Sequence, residues 1–227
     1  MTVDINRTLT FIGKDPNWSI KLLIGAGLSM VPVVHLLASG YAINMFRNVL
    51  AGKEDSDVLP EWSDLGDHFV KGLMITLIYL GYMLVPTVMM GVALTPMIAS
   101  FFSDRPPVLV MGLLGTLFLV AAATILGLIL FVLALEGGAL YAETGSFGEA
   151  FRISEIIRRI RVAPLDFLVA LGILSVGCMT ASSLAGFVPF FGTLVAVMLG
   201  FPVQLMFWHA MGTTARCNFL DRPGLDC

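Results

Sequence analysis

The chain has 227 residues, 57% of them hydrophobic and 13% charged, with a net charge of −3 and a mean hydropathy of +0.91. A compact water-soluble domain of this size cannot cover so much apolar surface, so that class is excluded. The small and dispersed charge excludes nucleic acid as a partner.

Residues 1–18 (MTVDINRTLTFIGKDPNW) are polar and lack the short apolar core and cleavage site of a signal peptide. Ile5, Leu9 and Ile12 form one face of a short surface turn of helix, and Trp18 stands where an interfacial aromatic belongs. Five long apolar stretches follow, at approximately 19–46, 72–102, 108–135, 165–187 and 190–211. Each supplies the ~20 residues a helix needs to cross a ~30 Å hydrocarbon core. The expected fold is an all-α integral membrane protein: one polytopic domain over 1–227, a bundle of about five transmembrane helices with short amphipathic interfacial helices.

Prolines interrupt this pattern. Pro32 lies in the first stretch and Pro202 in the fifth, while Pro86 and Pro96 are expected to bend or break the long second stretch. Two loops between stretches have helical periodicity. In segment 59–71, Trp62, Leu65 and Phe69 lie opposite Glu61, Asp64, Asp67 and Lys71. In segment 147–162, Phe147, Ala150, Ile157 and Ile160 lie opposite Glu149, Arg152, Glu155 and Arg159. Both segments suit helices lying in the membrane interface, where Arg158, Arg159 and Arg161 would meet lipid headgroups. In the fourth stretch, small residues recur every fourth position as Gly177, Ala181 and Ala185, and as Cys178, Ser182 and Gly186. That spacing lets helix backbones approach closely in lipid, and it marks a buried packing helix.

With five crossings, one side of the membrane holds four basic residues (Arg7, Lys14, Lys21 and Arg105) and the other holds nine. The positive-inside rule then places the long loops and the C-terminus in the cytoplasm and the N-terminus outside, in a cell (inner) membrane. A cytoplasmic tail also argues against a disulfide between Cys217 and Cys227.

Few polar groups within the stretches offer chemistry. His35, Glu136, Gln204 and His209 approach the inner leaflet on this topology, and the ionisable ones among them are candidates for a shared polar pocket. His35 and His209 are the residues that would bind a cofactor between helices, but none is expected, and no metal site is expected either. The plainer reading has Glu136 and His209 reaching interfacial water and His35 making one helix-to-helix hydrogen bond. A nucleophile with a base, a zinc pair, a phosphate loop and a dinucleotide fingerprint are all missing from the sequence, which disfavours catalysis.

Several strings carry a resemblance: Trp18–Pro32 (WSIKLLIGAGLSMVP); Gly40-Tyr41, Arg47, Gly52 and Leu59-Pro60-Glu61-Trp62; Phe69-Val70-Lys71-Gly72; and Gly145–Phe151 (GSFGEAF). In these the chain resembles the prokaryotic membrane proteins grouped as domain-of-unknown-function family 4013. The resemblance implies a helical membrane protein of bacteria or archaea and supplies no activity. The expected function is a non-enzymatic accessory, scaffold or subunit component of a membrane assembly, contacting lipids and other membrane proteins or itself. A transporter of small molecules, ions or lipid is the alternative, and an intramembrane cofactor-binding or lipid-modifying protein the second.

Overall fold

The computed structural model describes residues 3–103, 105–187 and 191–220. Within them the chain is all-α, with no strand. Helix α1 (Ile5–Thr10) is capped by Asp4, whose carboxylate accepts from the Arg7 N–H, and a 3-10 turn (Phe11–Lys14) leads on from it. The first apolar stretch is then divided into α2 (Trp18–Ser29) and α3 (His35–Leu50). The long helices are α4 (Leu65–Ala93) with its extension α5 (Thr95–Phe101), α6 (Pro106–Thr144), α8 (Pro164–Gly186) and α9 (Gly192–Phe219). Between α6 and α8 lies the short α7 (Ile153–Val162).

Among the described residues four helices, counting α4 with α5 as one, are therefore long and apolar enough to cross a membrane. The first stretch is the exception. Pro32 has no backbone donor, and Val33 takes a left-handed φ of 70° that a β-branched residue rarely adopts. With 12 residues, α2 rises only ~18 Å, short of the ~30 Å core. Both of its outer connections return to the same end of the molecule. Lys21 near the start of α2 donates to the Leu59 carbonyl, and Asn48 near the end of α3 donates to the Val58 carbonyl. So α2 and α3 form a helical hairpin whose outer ends meet, where one continuous span was expected.

That geometry overturns the expected separation of the N-terminal segment from the long loops. The Val3 N–H donates to Asp166 at the start of α8, Arg7 and Lys14 pair with Asp55, and Phe11 stacks on His209 of α9. N-terminal segment, both long loops and the end of α9 share one charged end.

The prolines act where their chemistry requires. Pro96 starts α5 after a break at Leu94, whereas Pro86 and Pro202 stay inside α4 and α9. Segment 59–71 does not form a separate interfacial helix: Asp64 caps α4, which begins at Leu65 and continues into the span. Segment 147–162 gives the 3-10 turn Glu149–Phe151 and α7, but its faces differ from the periodic reading: Arg159 is buried, whereas Phe147 and Ile157 are exposed. The expectation for Cys217 and Cys227 falls on Cys227, which lies outside the described residues.

Helix packing is unequal along the molecule. At the charged end α3 is enclosed by α2, α4, α6 and α9. Its crossing with α4 is backbone on backbone, since a Cβ at Gly40 would lie 1.7 Å from the His68 carbonyl oxygen and one at Gly72 would lie 1.8 Å from that of Leu36. Away from that end, α4–α5 lies along α6 and α8 lies along α9. These two hairpins meet slightly, where Gly138 of α6 faces Trp208 of α9. The most apolar window of α6 is 11% buried inside the protein, against 39% for α9. Nor is α8 a buried helix: Gly177, Ala181 and Ala185 line its seam with α9, while Cys178, Ser182 and Gly186 on the next row are exposed.

Candidate functional site

The polar side chains gather at the charged end, and Lys21 is the centre of the largest group. Its ammonium lies 2.8 Å from Asp15, 2.7 Å from Glu61 and 3.0 Å from the Leu59 carbonyl. Lys21 and Asp15 are both buried. Burial alone would push the Lys21 ammonium down, but the hydrogen bonds and charges of Asp15 and Glu61 outweigh it and hold the group above its usual range. Trp62 donates to the Lys21 carbonyl at 3.1 Å and stacks on Tyr41 with ring centroids 4.2 Å apart.

A second chain of bonds continues from Trp62. Its ring meets His68 edge-on. Asn44 Nδ2 lies 2.7 Å from His68 Nδ1, and His68 Nε2 lies 3.1 Å from the Glu61 carbonyl. One tautomer satisfies both contacts: a proton on Nε2 donates to Glu61 while Nδ1 accepts from Asn44. Asn44 also donates to Asp67, and Lys71 bridges Asp67 and the Asn44 carbonyl oxygen. Beside this network is a cleft of ≈ 500 Å³, lined by Asp15, Lys21, Asn44, Glu61 and His68 among others. The Tyr41 hydroxyl is buried with no hydrogen-bond partner among the described residues, and burial, with Asp15 and Glu61 nearby, pushes its phenol well up.

Arg159 organises the opposite flank. It pairs with Glu143 at 2.7 Å, Glu155 at 3.3 Å and Glu136 at 3.9 Å, and lies over the Phe219 ring. Gly145 ends α6 in a left-handed conformation, φ 73°, with Arg47 bonded to the Ala142 carbonyl beside it. Tyr82 donates to the Ala150 carbonyl and stacks on Phe151.

The residues singled out in the sequence are not brought together. His35 is exposed beside the break, whereas His209 is buried under Phe11, its Nδ1 without a hydrogen-bond partner among the described residues. At ~1.5 Å per residue, His35 lies roughly 17 Å along α3 from Phe46, and it is Phe46 that meets Trp208, the neighbour of His209. A cofactor shared by these histidines does not fit that spacing. Glu136 faces Arg159 rather than a histidine, and Gln204 is half-buried in α9. Of the three arginines assigned to headgroups, Arg159 is buried among carboxylates, Arg158 is paired with Glu155, and Arg161 is exposed. Among the described residues no group of three or more His, Cys, Asp or Glu is placed to hold a metal. Lys21, Asp15, Asn44 and His68 escaped the sequence reading, and the signal that could have found them was a lysine inside an apolar stretch three residues after a Trp.

These features define a class: a helical membrane protein whose polar residues clasp a broken helix pair to one end. The clasp is built from the strings that carried the resemblance. Gly40 and Gly72 make the helix crossing, Glu61 and Trp62 bind Lys21, and Arg47, Gly145, Ala150 and Phe151 close the α6 side. Residues 24–191 match the family model described as "Protein of unknown function (DUF4013)", and the chain belongs to that family. No curated protein and no solved structure matches the chain.

Proposed function

We infer that this is a non-enzymatic component of a membrane assembly, whose hairpins receive another membrane protein or a second copy within the bilayer. One observation carries this reading: the α4–α6 and α8–α9 hairpins are joined at the charged end and touch little elsewhere. The polar cluster supports a fastening role over catalysis, since Lys21, Asp15, Glu61, Asn44, Asp67, Lys71 and His68 are engaged with one another. The charged end faces the cytoplasm in this reading. Among the described residues Arg105 is the one Lys or Arg at the far end, and the positive-inside rule then favours a cell membrane with both the N-terminal segment and the long loops inside.

The test is extraction from the native membrane in mild detergent, followed by native mass spectrometry. A stoichiometric protein partner or a homo-oligomer is expected. A monomer carrying only lipid would sink the reading. The broken α2–α3 pair favours a second reading, transport, because interrupted helices line the sites of many transporters. In that case substitutions at Pro86 or Pro96 should reduce flux more than expression, and normal flux in both variants would remove it.

A further inference from the structure

The last turn of α3, the end of α6 and the end of α9 frame a second cleft, of ≈ 420 Å³, lined by Arg47, Leu50, Ala51, Glu143 and Leu220 among others. Two arginines beside it are unlike the other cations of the charged end. Arg7, Lys14, Lys21, Lys71 and Arg159 each pair with a carboxylate. Lys53 and Arg161 pair with none among the described residues, but they are exposed and water serves them. Arg47 and Arg216 are half-buried and also lack a carboxylate among the described residues. Arg47 Nε donates to the Ala142 carbonyl at 2.8 Å, which fixes the guanidinium plane, while its two terminal nitrogens bond to nothing in the described chain. Arg216 Nε is buried with no hydrogen-bond partner among the described residues. Its place in the last turn of α9 suits a cation, but that attraction leaves the N–H groups unbonded.

Glycines hold both groups at this place. A Cβ at Gly52 would lie 3.0 Å from Arg216 Nη2, and one at Gly145 would lie 3.4 Å from Arg47 Nη2. Ala51 stands one turn after Arg47 on the same face of α3, and Gly52 follows it, so the two guanidinium groups flank a residue that lines the cleft. The one carboxylate of that lining among the described residues, Glu143, is taken up by Arg159 at 2.7 Å. Cations screened from water are normally paired, and two unpaired ones side by side also repel each other. An oxyanion removes both penalties, because the planar fork of an arginine matches two oxygens of a phosphate. Leu50, Ala51 and Leu220 offer an apolar wall for the organic part of such a ligand. We propose that Arg47 and Arg216 bind the phosphate group of a phosphate ester in this cleft, supplied by a lipid headgroup or by a soluble compound. The site is independent of the assembly reading, since it involves neither hairpin's face toward the bilayer.

Thermal denaturation of the delipidated full chain tests it, at constant ionic strength. One arm titrates glycerol 3-phosphate in an uncharged, phosphate-free detergent. The other compares nanodiscs of phosphatidylcholine with and without phosphatidylglycerol. The wild-type midpoint should rise in at least one arm, and Arg216→Gln should lose that rise, its apparent affinity falling about tenfold or more. A rise with glycerol 3-phosphate shows that a soluble phosphate ester suffices; a rise confined to phosphatidylglycerol assigns the site to a lipid headgroup. Arg161→Gln, at an exposed arginine, should respond like the wild type. Without phosphate the Arg216→Gln midpoint should match or exceed the wild type's, because a half-buried charge without a partner is gone; a lower midpoint would mark a structural arginine and overturn the proposal. If that variant does not accumulate, Arg47→Lys keeps the charge but loses the fork and should weaken the response; an unchanged response would count against the site equally. No rise in either arm overturns the proposal, as does the same rise in Arg216→Gln, which is what general salt stabilisation gives.

Discussion

At the charged end, Tyr41, Ala42, Ile43, Met45 and Phe46 of α3 are all 0% exposed, while at the far end Phe102 and Phe118 stand 88% and 73% open. Different solvents account for the contrast. The charged end lies at water, where burying a large apolar side chain contributes ~1.5–3 kcal/mol and a partly buried polar group needs a partner. In hydrocarbon, a Leu or Phe gains little by leaving lipid for protein, so helices pair only where small residues permit close contact. Gly112 against Ser100 and Gly177 against Val203 are such places. One end is therefore specified by many mutually dependent contacts and the other by two seams.

Substitutions at the two ends should differ in severity accordingly. The largest effect is expected for Gly40→Leu, because the new side chain would collide with the α4 backbone at His68. The cost should reach about 3 kcal/mol or more, seen as loss of the monodisperse peak in size-exclusion chromatography. A normal peak would mean that α3 and α4 do not cross there. Next comes Lys21→Met, which strands the buried Asp15 carboxylate; breaking a buried pair costs roughly 3–5 kcal/mol. Adding Asp15→Leu should recover part of the lost thermal stability, and no recovery would show that Lys21 acts through something other than this pair.

On the hydrocarbon side, Ala181→Leu should pry α8 from α9, since Ala181 is 5% exposed on that seam. A loss of about 1–3 kcal/mol is expected from overpacking, read as a lower midpoint in thermal denaturation. Cys178→Leu, one row away on the exposed face, should change the midpoint little, within about 0.5 kcal/mol. Equal effects at 178 and 181 would break the comparison.

The gentlest probe is pH. Burial raises the Asp55 carboxyl, but its hydrogen bonds from Arg7 and Lys14, with their charges, outweigh that and leave it below the ordinary range. A carboxylate lowered in the fold contributes stability above its unfolded value, ~3.9, and that contribution is lost as pH falls through the folded value. The N-terminal segment should therefore loosen below about pH 4, seen as faster hydrogen exchange over residues 3–14. Asp55→Asn should show the same loosening at neutral pH. Glu155 is held down to about 2, chiefly by its hydrogen bond from Arg158, so its pairs in α7 should persist on acidification until the pH approaches that value.

Membrane class and helical content were legible from composition and hydropathy, because a ~30 Å core demands ~20 apolar residues whatever their neighbours, whereas α4, α6 and α9 run past the apolar stretches into polar sequence, to Leu65, Thr144 and Phe219. The seam at Gly177, Ala181 and Ala185 was legible for a similar local reason: small residues four apart lie on one helix face. The candidate site was barely legible. Lys21 reads as one more topological charge until the fold places Asp15 and Glu61 against it, and Arg159 reads as a headgroup contact until α6 brings Glu136 and Glu143 beneath it. The break at Pro32 and Val33 lies in between. Hydropathy averages across it, so length alone implied a crossing, and only the meeting of α2 at Leu59 and α3 at Val58 made the pair a hairpin. Solvent and local spacing act residue by residue and are written in the sequence. Which charge meets which, and on which side a helix emerges, depends on partners distant in the chain, and only the tertiary structure decides them.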